Sequence, residues 1–359
     1  MFEQMLKSES VWLSGEGPEH SVVLSSRVRL ARNVKGFAYP PNSKSESKRE
    51  ILEIVKAAIE KSKSLKEGEF YFAKPIDELD RSFLIERHLV SPEFLGDKAN
   101  QGIFIGDGEN ISIMINEEDH LRIQSIQSGL SVESACELAE RVDEDLGRVL
   151  EFDFDREFGY LTSCPTNVGT GMRASVLIHL PGLALTREMD NLISSITKFG
   201  LAVRGFYGEG SDVLGNLFQV SNQTTLGRSE DDIIDSLLRV TRQMIEYEGK
   251  ARETLLADAK DQIEDKIWRA YGILKYARAL TSAEVMNLLS AVRLGIGMGM
   301  IKELPVASVN SMLLLTQPAH LQKYLQRRMT SSQRDEARAE LVRKMFQNGS
   351  ETFSQEKAL

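Results

Sequence analysis

The chain has 359 residues, 44 basic and 53 acidic, for a net charge of −9, with 42% hydrophobic and 27% charged residues. This is an ordinary globular balance, long enough for two domains at roughly 150 residues each, and it lacks the basic excess of a nucleic-acid scaffold. No apolar run approaches the ~18 residues of a membrane span, residues 1–21 carry no signal-peptide core, and Cys136 and Cys164 are too few for a disulfide framework or a four-thiolate zinc site, so a cytoplasmic protein is expected.

Residues 1–21 read as a short leader. From 22 to 250 short runs of β-branched and aromatic residues alternate with helical patterns. Strands are expected at 22–25, 69–73, 103–105, 111–115, 173–180, 201–207 and 217–220, and helices at 48–65, 131–150 and 186–199, where apolar residues recur at helical spacing. Strands that follow one another with no helix between them favour antiparallel pairing. Ser229 followed by Glu230, Asp231 and Asp232 supplies a cap and first-turn acids for a further helix. Residues 251–346 are helical almost throughout, and 347–359 form a polar, flexible tail. The expected fold is α+β, an antiparallel sheet flanked by helices, followed by an all-α C-terminal domain.

The glycine patterns of P-loop and dinucleotide enzymes are absent, as are H-E-x-x-H, C-x-x-C and G-x-S-x-G. Three polar clusters remain. In SSRVRLARN, residues 25–33, Arg27 and Arg29 alternate with Val28 and Leu30, which puts both guanidinium groups on one face of a strand. Two neighbouring cations repel unless an anion sits between them, and the planar fork of Arg suits phosphate oxygens; a solvated face balanced by acids has the same pattern. In residues 116–122, three acids precede His120 and Arg122, either an acidic turn or a carboxylate poised as a base beside a phosphate-binding Arg. In residues 163–175, Pro165, Gly169 and Gly171 force a tight loop with Cys164 at its mouth and Arg173 opening the next strand; a plain turn with a small buried cysteine reads equally well. Arg204 and Glu209 add another strand-end cation and a glycine-flanked carboxylate. Scattered arginines suit a clamp on a polyphosphate carrying Mg²⁺, because phosphoryl transfer is mostly positioning and charge neutralisation.

At these residues the sequence resembles the phosphagen (guanidino) kinase superfamily: SSRVRLARN at 25–33, NEEDHLRI at 116–123, CPTNVGTGMRAS at 164–175, RGFYGEG at 204–210 and SNQTTLG at 221–227, in family order. The resemblance implies ATP with Mg²⁺ lying across the sheet. It implies that Ser26, Arg27, Val28, Arg29, His88, Arg122, Arg173, Ala174, Ser175 and Arg204 hold the nucleotide, and that Glu118 and Glu209 grip the acceptor guanidinium with Cys164 alongside. No metal ligand comes from the side chains, since Mg²⁺ arrives on ATP. A protonated guanidinium is a poor nucleophile, and carboxylates can orient it and help take its proton.

Three departures point within the superfamily to the bacterial protein-arginine kinase family. Residues 1–21 leave no room for the helical domain that normally precedes the SSRVR-like segment, which implies an open site able to admit an arginine held in a polypeptide. The helical region after 250 has no counterpart in the metabolic enzymes. Tyr207 and Leu177 stand where an Arg and a nucleotide-stacking His are common. That family also carries R-D-x-x-R-A, here Arg334, Asp335 and Arg338, as an allosteric phosphoarginine site; Arg334 and Arg338 lie one helical turn apart and Asp335 is able to reach a guanidinium. The expected activity is transfer of the γ-phosphate of ATP to protein arginines, marking them for Clp-type degradation and inactivating a heat-shock repressor. Expected partners are a zinc-binding activator, the Clp unfoldase-protease and a second copy of the chain. Neither nucleic acid nor membrane is an expected partner. A free-arginine kinase and a non-catalytic phosphoarginine-binding adaptor are the alternatives.

Overall fold

A computed structural model describes residues 2–8, 10–94, 99–205 and 213–347. Ten strands are seen among them: β1 (Val23–Arg32), β2 (Gly68–Phe72), β3 (Gly102–Gly106), β4 (Ile111–Ile115), β5 (Leu121–Ser128), β6 (Phe154–Asp155), β7 (Gly159–Tyr160), β8 (Met172–His179), β9 (Leu201–Arg204) and β10 (Leu217–Asn222). Eight form one sheet in the order β2-β3-β4-β5-β1-β8-β10-β9, antiparallel at every pairing, while β6 and β7 make a separate small hairpin. Each expected strand run overlaps a strand of this sheet, with 206 and 207 of the run 201–207 outside the described residues, but the expectation missed β5 and stopped β1 short at residue 25. Both continue through the charged clusters, where Arg and Gln on one face alternate with apolar residues on the other.

The helices are α1 (Glu3–Lys7), α2 (Ser45–Lys61), α3 (Glu78–Glu86), α4 (Val132–Gly147), α5 (Pro181–Leu185), α6 (Met189–Thr197), α7 (Glu230–Asp258), α8 (Lys260–Tyr276), α9 (Ser282–Gly297), α10 (Val306–Leu315), α11 (Pro318–Tyr324) and α12 (Ser331–Gln347). The helix expected over 186–199 is shortened, because the chain turns at Arg187 with φ +62° between α5 and α6. α7 begins at a capping box: Asp232 N donates to Ser229 Oγ at 3.1 Å and Ser229 N donates to Asp232 Oδ2 at 3.3 Å. It then runs unbroken past residue 250, joining the catalytic and C-terminal regions by continuous backbone. None of the described helices is long and apolar enough to cross a membrane.

Period-two alternation divides the sheet into two unlike faces. Val28, Leu30, Ile123, Ala174 and Val176 turn to one side and pack with Val55 of α2, Val142 of α4 and Leu237 of α7 in the largest core. The opposite face is covered only in part. At one end Ile126, Leu177 and Leu217 lie under Trp12 and Leu13 and the C-terminal helices. Near the β3–β4 edge Ile103, Ile105 and Met114 lie under Phe83 and Leu84 of α3 with Ala319 of α11. Trp12 is only 1% exposed, so the leader is part of the core. Between these two covers the middle of the face stays open.

Replacing Ser229 by Ala removes one half of the capping box and is expected to lower stability by about 1 kcal/mol, read as a lower urea midpoint with unchanged slope.

Candidate active site

The open middle of the sheet is floored by arginines. Arg27 and Arg29 of β1 share this face, Arg29 pairs in register with Arg173 of β8 and with Gln124 of β5, and Arg122 of β5 pairs with Ala31. Arg204 of β9 pairs with Gln219 of β10, two strands further along. These side chains, with His88, Glu117, Glu118 and Cys164, line one cleft of about 700 Å³. Ser175 faces Arg27 across the strands and lines a small recess beside the cleft with His88 and Leu177.

Desolvation and the neighbouring cations Arg122 and Arg173 lower the Arg27 pKa to about 10. Arg29 is pushed well down by desolvation and by Arg27, Arg122 and Arg173, with Glu117 opposing. Its Nε is buried without a hydrogen-bond partner. His88 holds φ +60° at the cleft wall; desolvation, then Arg27, lowers its pKa to about 3, so its ring is neutral. Arg122 is balanced by two acids, with Nη2 at 2.8 Å from Glu117 and 3.3 Å from Glu118. Glu117 also accepts from Ser91 Oγ and its side chain is 7% exposed, whereas that of Glu118 is 39% exposed and faces the cleft. Partial burial raises the Glu118 pKa, opposed by Arg122, which favours a carboxylate able to take up a proton.

The cleft rim is tied down by Asp119, which is buried. Its Oδ1 accepts from Asn33 Nδ2 and from Ser163 N, both at 2.7 Å, while Asn33 Oδ1 accepts from His120 N at 2.9 Å. One carboxylate thus joins the end of β1, the turn carrying Glu118 and the residue before Cys164. The Cys164 loop is closed from beneath by Thr225 Oγ1, which donates to the carbonyls of Thr166 and Val168. Gly171 sits at φ +64° with its α-carbon so close to β1 that a Cβ would lie 2.6 Å from Ala31 O. Arg32 pins the same loop: it pairs with Asp143 at 2.9 Å, donates to Thr170 O at 2.9 Å and stacks 3.5 Å over the Tyr160 ring. Cys164 Sγ lies 3.0 Å from Thr166 Oγ1 at the cleft.

Several expected residues lie elsewhere. Ser26, Val28 and Ala174 occupy the alternate positions of their strands and face the core: Val28 and Ala174 are fully buried there, and Ser26 Oγ donates to Gly129 O. Strand period turns these three side chains away from the cleft. Glu209 and Tyr207 lie outside the described residues. Arg334, Asp335 and Arg338 are on α12 and do not line the cleft. Asp335 does reach the Arg338 guanidinium, at 2.6 Å, but Arg338 is 1% exposed and donates to Thr316 O and Leu280 O, while Arg334 donates to Met329 O. Sequence reasoning missed Glu117, Asp119, Gln124 and Asn33 as parts of the site. Three acids in a row carry no signal of which one faces the cleft, the cation or the core; the positive φ of Asn116 sets that order.

Asp119→Ala would leave two buried donors unpaired and is expected to lower stability by about 2–3 kcal/mol. It should also lower turnover at saturating substrate, because Glu118 and Cys164 both depend on it. Chemical unfolding combined with steady-state rates checks this, and unchanged turnover would remove the positioning role.

Residues 50–251 match the family described as ATP:guanido phosphotransferase, C-terminal catalytic domain, and residues 260–357 match the protein-arginine kinase McsB C-terminal domain. A protein-arginine kinase of Pelotomaculum thermopropionicum is 44% identical over 349 residues, 96% of this chain and 98% of its own length. One of Desulforamulus reducens is 46% identical over 338 residues, covering 93% and 94%. Among solved structures, lombricine kinase superposes with a TM-score of 0.59 at 26% identity, covering 68% of this chain and 69% of that one. The duplicated taurocyamine kinase of Schistosoma mansoni gives 0.58 at 27%, covering 66% and 34%. With its catalytic region matched over more than half of the chain and near-complete correspondence to enzymes of one specificity, this phosphotransferase belongs to the protein-arginine kinases, on the phosphagen kinase fold.

Proposed function

We propose that the enzyme transfers the γ-phosphoryl group of ATP to a terminal guanidino nitrogen of arginine side chains in proteins, with the arginine floor as the triphosphate seat and Glu118 as the acceptor-side base. The observation that carries this reading is the convergence of Arg27, Arg29, Arg122, Arg173 and Arg204 on one cleft with Glu118 and Cys164 at its rim. Like charges so close repel one another, and a triphosphate supplies anionic charge that relieves this and the oxygen geometry that arginine forks match. We assign Mg²⁺ to the nucleotide, where it would neutralise phosphate charge. Glu118 orients the acceptor guanidinium by charge-assisted hydrogen bonds and accepts its proton as the N–P bond forms and the bond between γ-phosphorus and the bridging oxygen breaks, releasing ADP. Glu209 is proposed as the second carboxylate and Cys164 as a neighbour of the acceptor.

From the family resemblance we further propose that phosphoarginine marks proteins for a Clp-type unfoldase and protease, and that a heat-shock repressor is one acceptor. We also propose a zinc-binding protein as activator and a homodimer or higher oligomer acting in the cytoplasm. Arg334, Asp335 and Arg338 are proposed as an allosteric phosphoarginine site; a phosphate there would have to compete with the carbonyls of Thr316 and Leu280 for Arg338.

Glu118→Gln keeps the shape of the side chain but removes the base. It is expected to lower phosphate incorporation into protein arginine by about 10²–10⁴-fold, measured by mass spectrometry under non-acidic conditions, with the unfolding transition retained. Full activity in this variant would dismiss Glu118 as the base. Excess free arginine should leave the rate on a protein acceptor nearly unchanged; strong competition would favour a free-arginine kinase.

A further inference from the structure

Three consecutive residues at the end of α3 face three different places. Glu86 turns into the C-terminal region, where its two carboxylate oxygens accept from Ala319 N at 2.8 Å, His320 N at 2.9 Å and His320 Nδ1 at 2.8 Å at the start of α11. Arg87 turns inward, pairing with the buried Glu109 and approaching His320 Nε2 at 3.4 Å. His88 turns into the cleft, and its carbonyl accepts from Gln124 Nε2 at 2.7 Å on the arginine floor. His320 is fully buried against the Phe83 ring, 4.3 Å between centroids. Its Nδ1–H donates to Glu86 and its Nε2 accepts from Arg87, which is the neutral tautomer; desolvation, Arg87 and Lys323 keep the ring neutral. An outer pair, Lys323 with Asp80, clamps the same two helices.

We propose that His320 and Glu86 are positioning residues for the nucleotide side of the reaction, by which the C-terminal region sets the cleft wall formed by His88, Val90 and Ser91. The wall leaves α3 through a left-handed residue, His88, is seated by buried Leu89 and Phe94 and by Ser112 Oγ on the Leu89 carbonyl, and then crosses exposed Pro92 and Glu93, so the end of α3 sets where it starts. A buried carboxylate with three donors is a rigid joint, because breaking it leaves a buried charge unpaired. Desolvation, opposed by the helix donors, raises the Glu86 pKa to about 7. Ser91 in turn holds Glu117, which holds Arg122, so displacement of the wall reaches the phosphate seat before it reaches Glu118.

The inference rests on the reading that ATP occupies the arginine floor. It predicts that His320→Ala raises the KM for ATP about five- to tenfold, with the KM for the protein acceptor unchanged. His320→Asn, whose amide can still donate to Glu86, should return the ATP KM to within about twofold of wild type. Chemical unfolding of each variant separates lost fold from lost positioning. If His320→Ala yields no folded protein, Glu86→Gln carries the test, with the same selective rise expected. An unchanged KM for ATP in the folded variant, an equal rise for both substrates, or an Asn variant as impaired as the Ala variant would overturn the proposal. Titration of the wild-type chain with ATP and Mg²⁺ by calorimetry separates the two levels: no binding would defeat the ATP reading and this inference together, whereas binding that the variants leave untouched would defeat the inference alone.

Discussion

Mutual repulsion of cations on one sheet face is the constraint on which the rest of this structure depends. Side chains directly opposite on antiparallel strands begin about 5 Å apart, and Arg29 lies opposite Arg173 with Arg27 beside both. Two charges at about 6 Å in surroundings of effective dielectric 20 repel by about 3 kcal/mol. Glu117 and Glu118 are both engaged with Arg122 at its edge, and Glu117 offsets only part of the repulsion felt by Arg29. A fold holds such an arrangement only if its other face repays the strain. Here that face is an apolar layer, Val28, Leu30, Ala174 and Val176 against α2, α4 and α7, which sets the strand register and leaves the arginines no alternative position.

Rigidity at the rim comes from a different kind of contact. Asp119, Arg32 and Asn33 are buried polar groups whose hydrogen bonds join segments far apart in sequence. They are satisfied within the protein, so they specify loop geometry at little cost, whereas Arg29 of the floor keeps a buried Nε without a hydrogen-bond partner. The division matches what phosphoryl transfer needs: fixed positions around a charge that arrives with the substrate.

How much of this was legible beforehand follows the same physics. The core-facing strand positions and α4 were readable because apolar periodicity reports burial, and the start of α7 was readable because a Ser with acids after it reports a cap. The five arginines were recognisable from their motifs. β5 was not, because after Leu121, Arg122, Ile123 and Gln124 the alternation reverses at Ser125 and Ile126, with Ile126 packing on the opposite face. Within those motifs only every second residue faces the cleft, and Ser26, Val28 and Ala174 face the core. The roles of Asp119, Glu86 and His320 depend on partners from 44 to 234 positions away, and local sequence holds no trace of such pairs.

The C-terminal region enters the catalytic half through buried contacts: α11 onto α3, and Arg293 of α9, which donates to the carbonyls of His20 and Ser21 just before β1. It therefore braces both the cleft wall and the strand that carries Arg27 and Arg29. Thermal unfolding of the wild-type chain and of Arg29→Met, each with and without tripolyphosphate at low ionic strength, tests the charge constraint most directly. Arg29→Met should melt higher than wild type without ligand and gain less from the anion, because the strain and its relief reside in the same side chain. A wild-type chain that tripolyphosphate does not stabilise, or a variant that melts lower without ligand, would contradict it.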